Sequence, residues 1–517
     1  MSIDISALIG ARPRTSYTYD GGNRPTGAQD SMGTGSVLDT VSATYDGLND
    51  LLADSYASST LNATVTYTYD DDQNRTTMTA GSQAQTSYTY DNDNRLTAEA
   101  RGTQSVGVSY DADSRRTTLT LPNGVTVGYG YDADSHATGI TYSSTGAGTL
   151  GNLTYGYDND GRVNSLGGSL AAVNLPSAMP TATYDAGNQL ATWNGTAATT
   201  DGNGNLLSDP SIPGNTYTWN ERNQLATATA GGVQSSYVYD ALGRRVGQTT
   251  SGLTAQYVYV MLNVAQEQYT GGTVADMLPG LGLDENFART DSSGSSAILS
   301  DLLGSTIGLV NSSGAISTGY QYSPFGQTTT SGASSTNPLQ YTGRELDSTG
   351  LYFLRARYYN PIAQRFISPD PIGFFGGQAN FYAYVSNQPM NWTDPLGLLG
   401  GSVDGDLPGA AAGDCGGHCG HLALTIGQTP TSGYLQLAQS ESVPHLKSPF
   451  PQLTDGEYSV LRANGFTDED IQSLIAAGPD ALKALKSSIT VGPAIPSPTG
   501  PMPTPSGPAN PNSFQGG

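Results

Sequence analysis

The dipeptide Tyr-Asp recurs nine times in the first 240 residues, and this repetition constrains the fold more than any other feature. Successive copies lie mostly 20 to 27 residues apart, and fuller units read YTYDNDNRLTA or YVYDALGRRVG. Tyr-x-Tyr puts two rings on one face of a strand, and the Asp, Asn and Gly that follow favour a tight turn. We therefore predict a mainly β protein of stacked hairpins that share their edges. The aspartates of these repeats are Asp20, Asp46, Asp70, Asp91, Asp111, Asp132, Asp158, Asp185 and Asp240.

The composition limits the classes of function that the chain can have. Asp and Glu number 44 against 21 Lys and Arg, giving a net charge of -23, so we predict that the repeats do not bind nucleic acid. No stretch approaches the roughly 18 uninterrupted apolar residues that indicate a membrane-spanning helix. The start lacks the basic and apolar regions of an ordinary signal peptide. We therefore expect secretion or surface display by another route, or a start further upstream.

Two Asp-Pro-x-Gly turns follow the repeats, at Asp370 in SPDPIG and at Asp394 in TDPLGL. If the fold brings these carboxyl groups together, like-charge repulsion makes them share a proton. One group can then act as a base on a water molecule while the other acts as an acid toward a peptide carbonyl. A nearby guanidinium would hold the charge and the geometry, and Arg357 is the candidate. The simpler interpretation is a pair of ordinary turns, since Asp-Pro is a common way to begin one.

The repeats, followed by ARYYNP, SPDPIG, Gly-Gly, Tyr-x-Tyr and DPLGL in that order, resemble the Rhs/YD-repeat family. This family includes bacterial Rhs proteins, the C component of insecticidal toxin complexes and the shell of teneurins. The resemblance covers about residues 15–398. It implies a β-sheet that spirals into a hollow shell, complete or partial, and a variable C-terminal toxin that follows the shell.

The resemblance also implies an aspartyl autoprotease that cuts the chain once, inside the shell. Carried over by motif position, Asp370 and Asp394 are the acid/base pair, Arg357 is the supporting cation, and the bond between Leu398 and Leu399 is cut. Two positions depart from the family's usual residues and leave the pair itself unchanged: Gln364 in place of Gly, and Asn360 in place of Asp.

The composition changes sharply after Leu398, where the chain becomes a linker of small residues. A cluster of Cys and His residues follows, but its C-x3-C-x-H spacing matches known zinc sites poorly. We therefore predict neither a metal nor a cofactor. The weak metal candidates are Cys415, His418, Cys419 and His421. The predicted segments are 15–297 for the repeats, 298–398 for the core with the protease motif, 399–451 for the linker, 452–488 for a small helical region and 489–517 for a Pro-rich disordered tail.

The leading functional hypothesis is a bacterial container that encloses its own C-terminal segment and frees it by self-cleavage, for competition or host attack. The alternatives are a surface adhesion protein whose repeats bind glycans, and a truncated shell without an active toxin. An upstream polypeptide with further repeats would favour a shell in two parts. A small immunity protein as partner would favour a live toxin. The activity of the C-terminal region does not follow from the sequence.

Overall fold

A computed structural model describes residues 14–32, 36–172, 174–175 and 181–402 of the chain. The predicted mainly β fold is confirmed, because this part of the chain consists of antiparallel strands, tight turns and four short 3₁₀ segments. Two meandering sheets of 14 strands each contain most of these residues, and strands adjacent in sequence are neighbours in each sheet. None of the described helical segments is long and apolar enough to cross a membrane.

The first large sheet holds the first seven Tyr-Asp repeats, one hairpin for each. Its strands follow one another in sequence order from one edge to the other. They are β1 (Arg14–Tyr19), β2 (Pro25–Ser31), β3 (Val37–Tyr45), β4 (Leu51–Ser58), β5 (Asn62–Tyr69), β6 (Arg75–Ala80), β7 (Thr86–Tyr90), β8 (Leu96–Arg101), β9 (Gln104–Tyr110), β10 (Arg116–Leu121), β11 (Val125–Tyr131), β12 (Ala137–Ser144), β13 (Gly148–Tyr157) and β14 (Val163–Gly167).

The second large sheet has the same sequential order and is preceded by a small three-stranded sheet. The small sheet contains β15 (Ala182–Tyr184), β16 (Leu190–Trp193) and β17 (Thr196–Ala197). The large sheet contains β18 (Thr199–Thr200), β19 (Leu206–Asp209), β20 (Asn215–Trp219), β21 (Leu225–Ala230), β22 (Val233–Tyr239), β23 (Arg245–Thr250), β24 (Leu253–Val260), β25 (Asn263–Tyr269), β26 (Val274–Pro279), β27 (Asn286–Asp291), β28 (Gly294–Ser300), β29 (Thr306–Val310), β30 (Ile316–Tyr322) and β31 (Thr328–Gly332).

Two short sheets and several tight turns form the segment that carries the Asp-Pro motifs. One sheet has four strands and the other has two. The strands are β32 (Glu345–Leu346), β33 (Tyr352–Leu354), β34 (Arg357–Asn360), β35 (Arg365–Phe366), β36 (Trp392–Thr393) and β37 (Gly401–Ser402). The 3₁₀ segments of the described residues are Pro122–Gly124, Tyr341–Gly343, Gly373–Gly376 and Val385–Asn387.

The strands bury one face each, as the alternation of residue types predicts. In β5, Val65 and Tyr67 are buried, whereas Thr64, Thr66 and Thr68 between and beside them are exposed. On the exposed face, threonine hydroxyls pair across neighbouring strands, as in the 2.6 Å contact between the Thr68 and Thr77 Oγ1 atoms. Such cross-strand pairs stabilise an antiparallel sheet. The repeats therefore present a hydroxyl surface outward and an aromatic and aliphatic surface inward.

The inward faces of the two large sheets pack against each other. One apolar cluster joins side chains such as Val65 and Tyr67 to Tyr257 and Val258 of the second sheet. A second cluster joins β9–β13 to β26–β29 in the same way. Polar contacts accompany this packing, since Gln83 Nε2 donates to the Ala265 carbonyl oxygen at 2.7 Å. At these clusters the space between the two sheets is filled by their own side chains.

Each repeat aspartate organises the turn that follows it, and the Asp91 turn shows the pattern. The Arg95 backbone N–H donates to Asp91 Oδ1 at 3.0 Å, and Arg95 Nε donates to Asp91 Oδ2 at 2.8 Å. Asn94 has a φ of 59°, in the left-handed region that Asn tolerates well. The repeat aspartates that form these bonds are therefore turn-capping groups, in agreement with the structural interpretation of the sequence.

Consecutive repeats are joined by their tyrosine and arginine side chains. The Tyr110 hydroxyl donates to the Leu96 carbonyl oxygen of the preceding repeat at 2.9 Å. The Arg95 guanidinium lies over the Tyr110 ring, with Cζ 4.9 Å from the ring centroid. The hydroxyl bond recurs, with donor and acceptor in these pairs: Tyr45 and Pro25, Tyr69 and Leu51, Tyr90 and Arg75, Tyr131 and Arg116, Tyr157 and Ala137, Tyr239 and Leu225, and Tyr259 and Arg245.

Several turns of the same kind lack the Tyr-Asp dipeptide, so the Tyr-Asp pattern does not predict them. Asp301 forms one, since its N–H donates to the Ser305 carbonyl oxygen at 3.0 Å and the Ser305 N–H donates to Asp301 Oδ1 at 2.8 Å. Asp201 and Asn311 form others. Their shared signal is Asp or Asn followed three residues later by Gly, as in DGNG, DLLG and NSSG. The helical region, the Pro-rich tail and the Cys/His group predicted from the sequence lie outside the described residues.

Candidate functional site

The site is built where the turn between β33 and β34 meets the loop that contains the second Asp-Pro motif. The Ala356 N–H donates to the Leu396 carbonyl oxygen at 3.1 Å. Gly397 has a φ of 67°, and a methyl group placed on it would lie 2.1 Å from the Leu354 carbonyl oxygen. Only glycine fits this approach, because any side chain would overlap the β33 backbone. The loop is thereby held against the first residues of β34.

Arg357, at the start of β34, brings the two Asp-Pro carboxyl groups together. Its Nη2 atom lies 2.9 Å from Asp370 Oδ2 and 3.4 Å from Asp394 Oδ2. Arg357 Nη1 donates to the Phe381 carbonyl oxygen at 2.9 Å, and its Cζ lies 3.6 Å from the centroid of the Phe366 ring. All three charged side chains are nearly buried, with exposed fractions of 3% to 7%. The site is therefore a closed cluster of two carboxyl groups and one guanidinium.

Asp394 also contacts the backbone on both sides of the bond between Leu398 and Leu399. The Leu398 N–H donates to Asp394 Oδ1 at 2.9 Å, and the Leu399 N–H donates to the same oxygen at 3.1 Å. Beyond this bond the chain returns along β36, where Gly401 pairs with Thr393. The Leu398–Leu399 bond therefore lies in a hairpin loop whose two ends are fixed, with an Asp394 oxygen next to its nitrogen.

Asp370 lies on the carbonyl side of the same bond. Its backbone N–H donates to the Phe381 carbonyl oxygen at 3.0 Å, and its Oδ1 accepts the Ile372 N–H at 3.0 Å. A methyl group placed on Gly376 would lie 2.5 Å from Asp370 Oδ2 and 2.9 Å from the Leu398 carbonyl oxygen. The two oxygens thus flank the same small space beside Gly376. Asp394 thus contacts the nitrogen of the bond, and Asp370 lies near its carbonyl oxygen.

Burial dominates the electrostatics of the pair. It raises the pKa of Asp370 to about 7, against the opposing charge of Arg357 and with a further rise from Asp394. Burial also raises the pKa of Asp394, although Arg357 and the backbone N–H groups of Leu398 and Leu399 favour its charged form. Burial lowers the pKa of Arg357. Burial therefore favours the protonated form of each carboxyl group, and the charge of Arg357 opposes it.

The structure brings together all five residues that the sequence singled out: Arg357, Asp370, Asp394, Leu398 and Leu399. Sequence reasoning missed Gly376, the Phe366 ring and the Phe381 carbonyl oxygen, which contact these groups. Gly376 belongs to the Gly-Gly pair of the motif, but the motif did not indicate what it does. Phe381 acts through its backbone, which no residue type can indicate.

Within the described residues, no cluster of His, Cys, Asp or Glu side chains is suited to bind a metal ion. The four weak metal candidates lie outside those residues.

The teneurin YD-shell family model matches residues 38–166 and 126–390, which together make up more than half of the chain. The chain belongs to the teneurin YD-shell family. The resemblance stated from the sequence is therefore confirmed, and the match includes most of the repeats together with Arg357 and Asp370. It ends just before Asp394 and the Leu398–Leu399 bond.

Curated relatives of this YD-shell chain have nuclease and toxin names. The tRNA3(Ser)-specific nuclease WapA of Bacillus spizizenii is 30% identical over 275 residues, covering 48% of this chain and 11% of that protein. The double-stranded DNA deaminase toxin A of Burkholderia cenocepacia is 26% identical over 318 residues, covering 50% and 22%. The probable deoxyribonuclease RhsA of Dickeya dadantii is 52% identical over 61 residues, covering 12% and 4%. The chain thus spans less than a quarter of each of these relatives.

Solved structures share the YD-shell fold. The crystal structure of TcdB2-TccC3-Cdc42 matches 80% of this chain and 27% of the compared chain, with a TM-score of 0.55 and 18% identity. The TcdB2-TccC3 structure without the hypervariable C-terminal region matches 75% and 27%, with a TM-score of 0.53. At these identities the likeness shows the fold alone. It agrees with the predicted β-shell architecture.

Proposed function

We propose that this chain is the self-cleaving end of a YD-repeat toxin shell and that it cuts itself between Leu398 and Leu399. The observation that carries the proposal is the position of the bond. Asp394 accepts hydrogen bonds from the N–H groups on both sides of it, and Asp370 faces the space beside the Leu398 carbonyl oxygen. A single guanidinium, that of Arg357, holds the two carboxyl groups in place.

The proposed reaction is hydrolysis of one peptide bond. Protonated Asp370 polarises the Leu398 carbonyl oxygen, while ionised Asp394 takes a proton from a water molecule. The water oxygen bonds to the Leu398 carbonyl carbon, and the bond from that carbon to the Leu399 nitrogen then breaks. Asp394 Oδ1, which accepts the Leu399 N–H at 3.1 Å before the reaction, passes its proton to this nitrogen once the nitrogen has become pyramidal and presents a lone pair. The products are a carboxyl group at Leu398 and an amine at Leu399.

The position of Arg357 supports these roles of Asp370 and Asp394. Its contact with both carboxyl groups favours their ionised forms and so opposes the effect of burial, and the Phe366 ring and the Phe381 carbonyl oxygen fix its orientation. A rigid cation costs little reorganisation as charge moves from one carboxyl group to the other. Arg357 is therefore a positioning residue for the pair.

We further propose that the freed C-terminal segment is the effector of a secreted bacterial shell. The nuclease and toxin names of the relatives support this assignment, as does the change of composition after Leu398. Because the described sheets pack directly on each other, a lumen for that segment requires further repeats or a second polypeptide. The Tyr rings do not favour the alternative of glycan binding, because rings such as Tyr67 and Tyr88 are 3% and 4% exposed.

The experiment that tests self-cleavage compares the intact masses of three purified proteins. The wild type should appear as fragments of 398 and 119 residues, whereas Asp370→Asn and Asp394→Asn should remain at 517 residues. Both variants keep the size and the hydrogen-bonding atoms of the side chain but remove its acid and base chemistry.

A matched control separates loss of chemistry from loss of fold. Asp91→Asn changes an aspartate of a repeat turn far from the site in the sequence, and we expect it to be cut like the wild type. An uncut wild type would contradict the proposed protease. Cleavage of Asp394→Asn at the wild-type rate would contradict the assignment of the pair.

A further inference from the structure

The space beside Gly376 lies between Asp370 and the bond that we propose is cut. Gly376 is buried and ends the 3₁₀ segment Gly373–Gly376. A methyl group on it would lie 2.5 Å from Asp370 Oδ2 and 2.9 Å from the Leu398 carbonyl oxygen, both too close for a carbon atom. Gly376 has no positive φ, unlike Gly373 at the start of the segment and Gly377 directly after it. Its backbone therefore does not require glycine, and the space requires it instead.

Two further glycines flank the Leu398–Leu399 bond, one under a strict limit and one in a tight but adjustable space. A methyl group on Gly397 would overlap the Leu354 carbonyl oxygen, and one on Gly400 would lie 3.2 Å from Val385 Cγ1 and 3.4 Å from Trp392 Cε3. The side chain of Leu399, in contrast, is 56% exposed. The structure therefore encloses the main chain around the bond but leaves the side chain after it open to solvent.

We infer that Gly376 is a positioning residue for the cut. Because it has no side chain, it leaves a slot in which the Leu398 carbonyl oxygen lies beside Asp370 Oδ2, and the exposed side chain of Leu399 is not recognised there. The inference rests on the proposed self-cleavage. It adds to that proposal a residue that acts through the space it leaves.

The polar contacts described at the bond are made to backbone atoms, by Asp394 to the Leu398 and Leu399 N–H groups and by Arg357 Nε to the Gly397 carbonyl oxygen. The segment at the bond is therefore held by its main chain.

The test follows cleavage of the full chain from inclusion bodies after refolding, in Gly376→Ala and in the matched variant Gly102→Ala. Gly102 lies in a repeat turn, has a φ of 59° and has nothing within 4 Å of an added methyl group, so its variant carries backbone strain without obstruction. We expect Gly376→Ala to be cut at least about 100-fold more slowly, since a 1 Å displacement of reacting groups has that effect. Gly102→Ala should keep the wild-type rate even where its thermal midpoint falls.

The outcomes separate this inference from the proposal beneath it. A wild type that is not cut contradicts the self-cleavage itself. A wild type and Gly376→Ala cut at equal rates overturn the slot and leave self-cleavage intact. Leu399→Ala and Leu399→Asp provide a second measurement that does not depend on the folding of Gly376→Ala. Both should be cut within a few-fold of the wild-type rate, and loss of cleavage in both would overturn the open position at Leu399.

Discussion

The rate of self-cleavage should fall as the pH rises above about 7, because the proposed reaction needs a protonated Asp370. The burial of Asp370 raises its pKa to about 7. Above that pH the protonated fraction falls tenfold for each pH unit, equivalent to about 1.4 kcal/mol of lost transition-state stabilisation. At pH 9 the rate should therefore be about 100-fold below its maximum. In more acidic solution the rate should fall again as Asp394, the proposed base, becomes protonated.

The assay refolds uncut chain from inclusion bodies by dilution into buffers from pH 5 to pH 9. The cut fraction is measured against time by intact mass. Refolding is followed in the same buffers by tryptophan fluorescence, so that a slow fold is not mistaken for slow chemistry. Asp394→Asn serves as the control and should show no cleavage at any of these pH values.

One result would refute the assignment directly. If the rate rose through pH 7 and stayed high at pH 9, the ionised form of the group that titrates there would be the active one. Asp370 would then act as the base, and the roles of Asp370 and Asp394 would be exchanged. A flat profile with normal refolding would show that the pair does not control the rate of cleavage.

Two further predictions concern the repeats. Burial raises the pKa of Glu99 to about 8 from 4.5, so its protonation in the folded state costs about 3 kcal/mol at pH 7, and this cost vanishes below pH 4.5. Glu99→Gln should therefore raise the unfolding free energy by about that amount in urea titrations at pH 7 and by little at pH 4; an equal gain at both would contradict the burial argument. Tyr110→Phe removes the hydroxyl bond to the preceding repeat and should cost about 1 kcal/mol. Tyr88→Phe, whose hydroxyl has no hydrogen-bond partner within the described residues, should cost less, and equal losses would show that the inter-repeat bond adds nothing.

The local structure of the repeats could be predicted from the sequence because it depends on residues close together in the chain. The Asp91 turn uses side chains within four positions, and the alternation in β5 follows from the pleat of a strand. The turns at Asp201 and Asp301 were missed because they keep the capping residue but lack the tyrosine. The turn itself requires the Asp or Asn and, three positions later, a residue that adopts a positive φ, such as Asn94 or Gly304.

The packing of the two sheets and the surroundings of the candidate site could not be predicted in the same way. Gln83 and Ala265 are 182 residues apart, and no local pattern indicates which inward faces meet. At the site, the two aspartates carry a visible motif, and the structure places both beside Arg357. The Phe381 carbonyl oxygen and the space beside Gly376 depend on how loops cross, and a backbone atom or a missing side chain leaves no chemical signature in the sequence.

The face-to-face packing of the two 14-stranded sheets has a consequence for capacity. The diameter of a closed sheet grows roughly in proportion to its number of strands, so its cross-sectional area grows with the square of that number. Where the two sheets are in direct contact, almost no space is left between them. Each additional hairpin in the wall between them would lengthen the wall by the same amount, and each would increase the enclosed volume by more than the one before. If the C-terminal segment is enclosed as proposed, the size of the segment that the shell can hold is set by how many repeats separate these two sheets.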